Sequence, residues 1–122
     1  MKKTFLAILC AISTAVNAET EWTDTNEKLY IASQVAILAD WSTTRNGSRN
    51  NFPNGTYETN PLLGRYPSVG KIDLYFIGLL ATNHLVADAL PDNLRDYYFT
   101  LRIITHGGAS IHNVELGWKL NF

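Results

Sequence analysis

The sequence predicts an all-α fold, a small bundle of three helices behind a signal peptide, seated in a membrane. Three observations predict it. Apolar stretches of helical length recur along the chain. Connections rich in Asn, Gly and Pro separate them. Within each stretch the polar residues gather on one side of the helical wheel.

Residues 1–18, MKKTFLAILCAISTAVNA, have the three parts of a signal peptide. Lys2 and Lys3 are the basic part, Phe5 to Val16 the apolar part, and Val16-Asn17-Ala18 the small-residue cleavage site. The stretch is short for a spanning helix, which needs about 20 apolar residues, although retention as an anchor stays open. Cys10 follows Leu9 and makes a poor lipid acceptor. Cleavage removes that one cysteine, so the remaining chain can form neither disulfides nor a thiolate metal site. It would carry eight basic against 11 acidic residues, a net charge of −3. No basic patch stands out, which argues against a nucleic-acid partner. Residues 19–122 form one domain, with helices expected at about 25–45, 69–90 and 93–118.

In the first helix, Asp24 and Glu27 have the spacing of a capping box. Ser33, Ala36, Ala39-Asp40 and Thr43-Thr44 then form a small-residue stripe, suited to close helix packing. Asp40 sits within it. Residues 45–56 read as a loop, punctuated by Asn46-Gly47, Pro53 and Asn54-Gly55. Asn46-Gly47-Ser48 and Asn54-Gly55-Thr56 fit the glycosylation acceptor pattern and are read as turns. The stretch Glu58-Thr59-Asn60-Pro61-Leu62-Leu63-Gly64 follows, with Asn60-Pro61 expected to initiate a helical turn. Pro61 and Pro67 stiffen this connection.

Ser68 is placed to cap the second helix and Leu90-Pro91 to end it. Asp73, Ile77, Leu80, His84 and Asp88 share one face, with Asn83 adjoining. Asp92 is expected to cap the third helix. Arg102, His106, Asn113 and Gly117 share a face there, and His112 points elsewhere. Gly107-Gly108 would suit a close helix contact. Val114 to Phe122 alternates apolar and polar residues and could instead be a strand, but one strand makes no barrel.

Charge placement favours three membrane spans. Arg45, Arg49, Arg65 and Lys71 flank the first connection, and Lys119 returns to the same side, consistent with the positive-inside rule. The bilayer is then the first partner, with a second copy of the chain another. No protein partner is identifiable. An exported, periplasmic bundle is the alternative.

The polar residues Asp40, Glu58, Asn60, His84, Asp88, His106 and Asn113 are the candidate cluster. Asp40, Glu58, His84 and His106 would suit zinc or iron, move protons, or activate water. No spacing is diagnostic of any of these. Interhelical hydrogen bonding with no cofactor explains the same residues.

Asp40-Trp41-x-x-Thr44, Glu58-x-Asn60-Pro61-x-Leu63-Gly64-x-x-Pro67-Ser68, Tyr75-Phe76, His84, Leu90-Pro91 and Asn113-x-x-x-Gly117 resemble a group of uncharacterised small membrane or exported proteins of proteobacteria and their phages. The likeness spans nearly all of the mature chain. It implies a helical membrane protein and no known activity. A glutamate often stands in that group where this chain has His106. Two readings are therefore carried forward. The first is a non-enzymatic envelope protein, structural or accessory and phage-related. The second is an intramembrane metal- or proton-dependent enzyme or transport accessory.

Overall fold

The computed structural model describes residues 21–122, so the signal-peptide reading lies outside the described residues. Three long helices follow one another: α1 (Asp24–Arg49), α2 (Val69–Asp88) and α3 (Asp92–Glu115). A single 3-10 turn, Pro53–Gly55, lies between α1 and α2. No strand occurs among the described residues, so the expected all-α class holds and the strand alternative for the tail falls. Helix α1 is the hub, packing along α3 and more lightly on α2, while α2 and α3 barely meet. Side-chain bonds from Asn26 to Arg95 and from Asp40 to His106 show that α1 and α3 run parallel, with α2 returning between them.

The start of α1 is set one residue earlier than the sequence suggests. Thr23 is the cap: its hydroxyl accepts from Asn26 N at 3.1 Å, and Asn26 Oδ1 accepts from Thr23 N at 3.1 Å. The capping box is thus Thr23–Asn26, not Asp24–Glu27. Asp24 and Glu27 instead place negative charge in the first turn, where the helix dipole favours it.

The helix also runs through Asn46-Gly47, which the sequence marks as a turn. A Cβ at Gly47 would stand 2.7 Å from the Trp118 ring, so this glycine admits a side chain rather than bending the backbone. Asn46 is buried for a related reason: its Oδ1 accepts from Lys119 N at 2.9 Å. Beyond α1 the chain reverses through left-handed Asn51, Phe52 and Asn54. Asparagine tolerates that conformation, whereas for Phe52 it costs on the order of 1–2 kcal/mol. Burial of the Phe52 ring between Tyr66 and Trp118, at 5.8 and 5.3 Å, offsets the cost.

The long connection is pinned throughout. Asn60 and Pro61 start no helix: Asn60 O accepts from Leu63 N and Gly64 N, at 3.1 and 3.0 Å, closing a tight turn. Leu63 drops from that turn into the main apolar cluster with Ile37, Ile72 and Phe76. Ser48 donates to Pro67 O at 2.8 Å, and Lys71 Nζ to Leu63 O at 2.7 Å. Ser68 caps α2 as expected, accepting from Lys71 N at 3.3 Å.

Pro91, not Asp92, occupies the cap position of α3. That helix ends three residues earlier than the sequence suggests, on Gly117 with φ +90°. Trp118 N donates to Asn113 O and Gly117 N to Val114 O, both at 3.0 Å. This is a Schellman termination, in which only glycine takes the left-handed position cheaply. The turn sends Trp118 back onto Gly47. Gly107 and Gly108 have open space where a Cβ would be, so they serve no close helix contact.

The distribution of side chains is inverted. Among the described residues, the buried polar and charged side chains, Asn26, Ser33, Asp40, Asn83, Arg95, His106 and Asn113 among them, rival the buried large apolar ones. Meanwhile Ile31, Val35, Leu74, Ile77, Leu85, Leu101, Ile104 and Ile111 are exposed. In water an arrangement like this forgoes much of the burial that stabilises small domains.

Candidate functional site

The small-residue stripe of α1 turns inward as expected, with Ser33, Ala36, Asp40, Thr43 and Thr44 all buried. Helix α3 lies against it. Asp40 accepts from two directions there: its Oδ2 lies 2.7 Å from His106 Nδ1, and its Oδ1 accepts from Thr44 Oγ1 at 3.2 Å. Asn113, two turns after His106, donates to Thr43 Oγ1 at 3.0 Å and Thr44 Oγ1 at 3.1 Å, and reaches Asp40 Oδ1 at 3.4 Å. Each of these groups is buried. Buried polar groups without partners are costly, and this network meets that demand for all but one atom.

That atom is His106 Nε2, buried and without a hydrogen-bond partner. An imidazole nitrogen 2.7 Å from a carboxylate oxygen carries the shared proton, so the neutral ring has its lone pair on Nε2. His106 lines a cavity of about 380 Å³ between the three helices and the Glu58 turn. Asp40 and Glu58 line it too, with Leu63, Tyr75 and Phe76 forming an apolar wall and Arg102 a cationic one.

Glu58 is held by the Asx-like turn around Asn60. Its Oε1 accepts from Asn60 N at 2.7 Å, and Asn60 Oδ1 in turn accepts from Leu62 N at 3.0 Å. Burial pushes the Glu58 carboxyl above its ordinary range, against the lowering effect of the Asn60 amide, and the nearby Asp40 charge adds to the rise. One carboxyl of the site therefore holds its proton more tightly than a free glutamate does.

The expected cluster is thus split. Asp40, Glu58, Asn60, His106 and Asn113 come together around one cavity. His84 and Asp88 do not join them. The inward face of α2 is Ile72, Phe76, Asn83 and Ala87, and Asp73, Ile77, His84 and Asp88 lie off it. His84 is exposed and stacks on Trp22, centroids 4.7 Å apart, and Trp22 Nε1 donates to Asp88 Oδ1 at 3.0 Å. With His84 elsewhere, the expected metal quartet is broken. No three His, Cys, Asp or Glu side chains among the described residues are grouped to hold a metal ion.

His112, expected to face away, is exposed and lines the cavity. Helical periodicity singles out neither Thr43 as a partner of Asn113 nor Arg95. Arg95 is fully buried, donating to Ala87 O, Leu90 O, Asn26 Oδ1 and Asp92 Oδ1 at 2.8 to 3.0 Å. Its signal was available: it stands four residues after Pro91, one turn into the next helix, beside the break where the carbonyls ending α2 need donors.

The described residues form a polar-cored three-helix bundle with a cavity lined by Asp40, Glu58 and His106. No protein-family model, no curated protein and no solved structure matches the chain.

Proposed function

We propose that the protein is a small helical protein of the bacterial cell envelope, seated in the lipid bilayer with its polar side chains turned inward. One observation carries the reading: exposed apolar side chains ring the bundle in a belt that holds no fully exposed charge, Arg45, Asp73, Asp96 and Arg102 being half-buried within it. On α3 no exposed Asp, Glu, Lys or Arg stands between Asp92 and Glu115. The same holds on α2 between Lys71 and Asp88, and on α1 between Lys28 and Arg49. At 1.5 Å per residue these intervals are about 26 to 35 Å tall. A bilayer's hydrocarbon core is about 30 Å thick.

No helix among the described residues is long and apolar enough overall to cross a membrane. Around its whole circumference α3 carries Arg95, Arg102, His106 and Asn113. Lipid meets only the outward face, and ionisable residues within membranes characteristically turn to the bundle interior. The signal-peptide pattern of residues 1–18 and the Arg45, Arg49, Arg65 and Lys71 asymmetry support export and insertion. The resemblance to small membrane proteins of proteobacteria and their phages points the same way.

The test is fractionation of the C-terminally tagged full chain, with alkaline carbonate washing and an intact mass. Retention in the washed membranes with residues 1–18 removed is the expected result. Release into the soluble fraction would overturn it and leave the belt to be covered by further copies or another protein.

A second reading, a metal- or proton-dependent site, draws on His106, which lines the cavity with Asp40 and Glu58 and has a buried Nε2 without a hydrogen-bond partner.

A further inference from the structure

We propose that a second cavity, at the end of α1, binds the phosphate group of an anionic phospholipid. This cavity of about 690 Å³ opens where the last turn of α1 meets the tail that follows α3, and it shares no lining residue with the one beside His106. Arg49 and Lys119 line it together with Asn46, Asn50 and Asn121, and no Asp or Glu stands among its described lining residues. Both cations are exposed, and no carboxylate among the described residues pairs with either. Arg45 and Arg95, by contrast, are held by Asp73 and Asp92 at 2.9 and 2.8 Å.

Asn46 is an independent sign of a ligand. The residue is only 8% exposed, and its Oδ1 accepts from Lys119 N at 2.9 Å. That bond fixes the amide and leaves Nδ2 as its free end. No described residue accepts from Nδ2. Nor is it sealed off, since Asn83 Oδ1 and His106 Nε2 are the described side-chain atoms that are both buried and unbonded. The donor therefore keeps accessible surface on a residue that lines the cavity. A largely buried amide without an acceptor is unfavourable, and a ligand oxygen would supply one.

Cations near a helix C-terminus commonly serve only to offset its dipole. The carbonyls that end α1 do not need them. Asn46 O accepts from Asn50 N and Nδ2 at 3.1 and 2.8 Å, Gly47 O from Phe52 N at 2.7 Å, and Ser48 O from Asn51 N at 3.0 Å. Two unpaired cations, one a guanidinium whose fork matches paired phosphate oxygens, with a free amide donor beside them, suit a phosphate group. That the phosphate belongs to a lipid rests on the membrane reading. Arg49 bounds the apolar belt on α1, which puts the cavity at headgroup depth, on the side of Lys71 in the first turn of α2. Basic pockets at that depth hold anionic headgroups.

The test uses the full chain purified in a nonionic detergent, with any tag removed from the tail that lines the cavity. Calorimetry compares dioleoylphosphatidylglycerol, dioleoylglycerol (the same acyl chains without phosphate) and inorganic phosphate. Wild type should bind the phospholipid one to one and dioleoylglycerol about 10-fold or more weaker. Arg49→Gln and Lys119→Gln should each weaken the phospholipid about 5-fold, and the double variant about 25-fold. Added salt should weaken wild type more than the double variant. Arg65→Gln removes a charge from the same end but outside the cavity, and should stay within about two-fold of wild type. Asn46→Asp keeps an oxygen for Lys119 N and puts a carboxylate where the free donor stands, so the folded variant should lose binding. Should it fail to fold, the two exposed cations still decide the matter.

Equal affinity for the two lipids would overturn the proposal. So would an Arg65→Gln loss as large as that of Arg49→Gln, which leaves only diffuse surface charge. Inorganic phosphate bound as tightly as the phospholipid would make a soluble phosphate the ligand and overturn the lipid assignment. Alkali-released protein that binds inorganic phosphate, with the same losses in the variants, sinks the membrane reading and keeps the anion site. Membrane-retained protein that does not discriminate between the lipids does the reverse.

Discussion

Two buried polar networks stand at different levels of the same helix pair, and they differ in what they leave over. At the Arg95 level, the guanidinium spans Asn26 of α1, the carbonyls of Ala87 and Leu90 ending α2, and Asp92 of α3. Trp22 covers it, 5.3 Å from the guanidinium carbon. At the Asp40 level, the groups bond with equal economy, but one imidazole nitrogen remains and a cavity adjoins it. Between them Asn83 donates to Ser33 and Gln34, at 2.9 and 2.8 Å, and keeps a buried Oδ1 without a partner. The Arg95 network closes on itself, whereas the Asp40 network leaves one buried nitrogen unbonded on a residue that lines a cavity.

The sharpest way to break this comparison is Arg95→Ala. Removing a fully buried guanidinium leaves two helix-ending carbonyls and Asn26 Oδ1 short of donors. A loss of about 3–5 kcal/mol is expected from the cost of breaking such networks, read as a large fall in the denaturation midpoint. By contrast, His106→Gln should melt near wild type, since its amide can still donate to Asp40.

Gly47→Ala comes next. Its Cβ would meet the Trp118 ring at 2.7 Å, and overpacking of this kind costs about 1–3 kcal/mol. Tryptophan fluorescence should report a displaced Trp118 ring. An unchanged spectrum and melt would mean that the tail packs elsewhere.

His84→Ala is expected to cost less, about 0.5–1.5 kcal/mol for the lost stack on Trp22. An unchanged melt would mean that the Trp22 stack does not stabilise the fold.

The smallest effect concerns pH. The Glu58 carboxyl is raised above 4.5 mainly by burial, so the folded chain binds this proton more tightly than the unfolded one. Below 4.5 both forms are protonated and the group contributes nothing. As pH rises through the folded value, the unfolded chain gains by ionising first, and folded stability falls. Glu58→Gln keeps an oxygen to accept from Asn60 N and carries no charge. It should therefore melt slightly above wild type at pH 7.5, with the gap closing near pH 4. A gap that widens on acidification would reverse the sign.

Much of the architecture was legible in sequence. Helix α2 begins where Ser68 announces it, and α1 and α3 start within a residue of the expected positions, because caps and proline breaks act over three or four residues. The inward stripe from Ser33 to Thr44 was legible as well, since small residues at helical spacing stay on one face whatever packs there. Asp40, His106 and Asn113 followed from that periodicity, and Glu58 from the shaped turn around it.

The remaining features required the fold. His84 and Asp88 share a face with Asp73, yet α2 is rotated so that Phe76 and Asn83 point inward instead. Periodicity gives the relative angles around a helix but not its rotation against its neighbours. Gly47 looked like a turn because its true partner, Trp118, is far along the chain. By itself the sequence determined which segments are helical, where they begin and which residues travel together, since caps, breaks and the 3.6-residue period are local. Only tertiary structure decided where α1 and α3 stop, which face each helix presents and which polar atoms find partners, because those depend on contacts between residues distant in sequence.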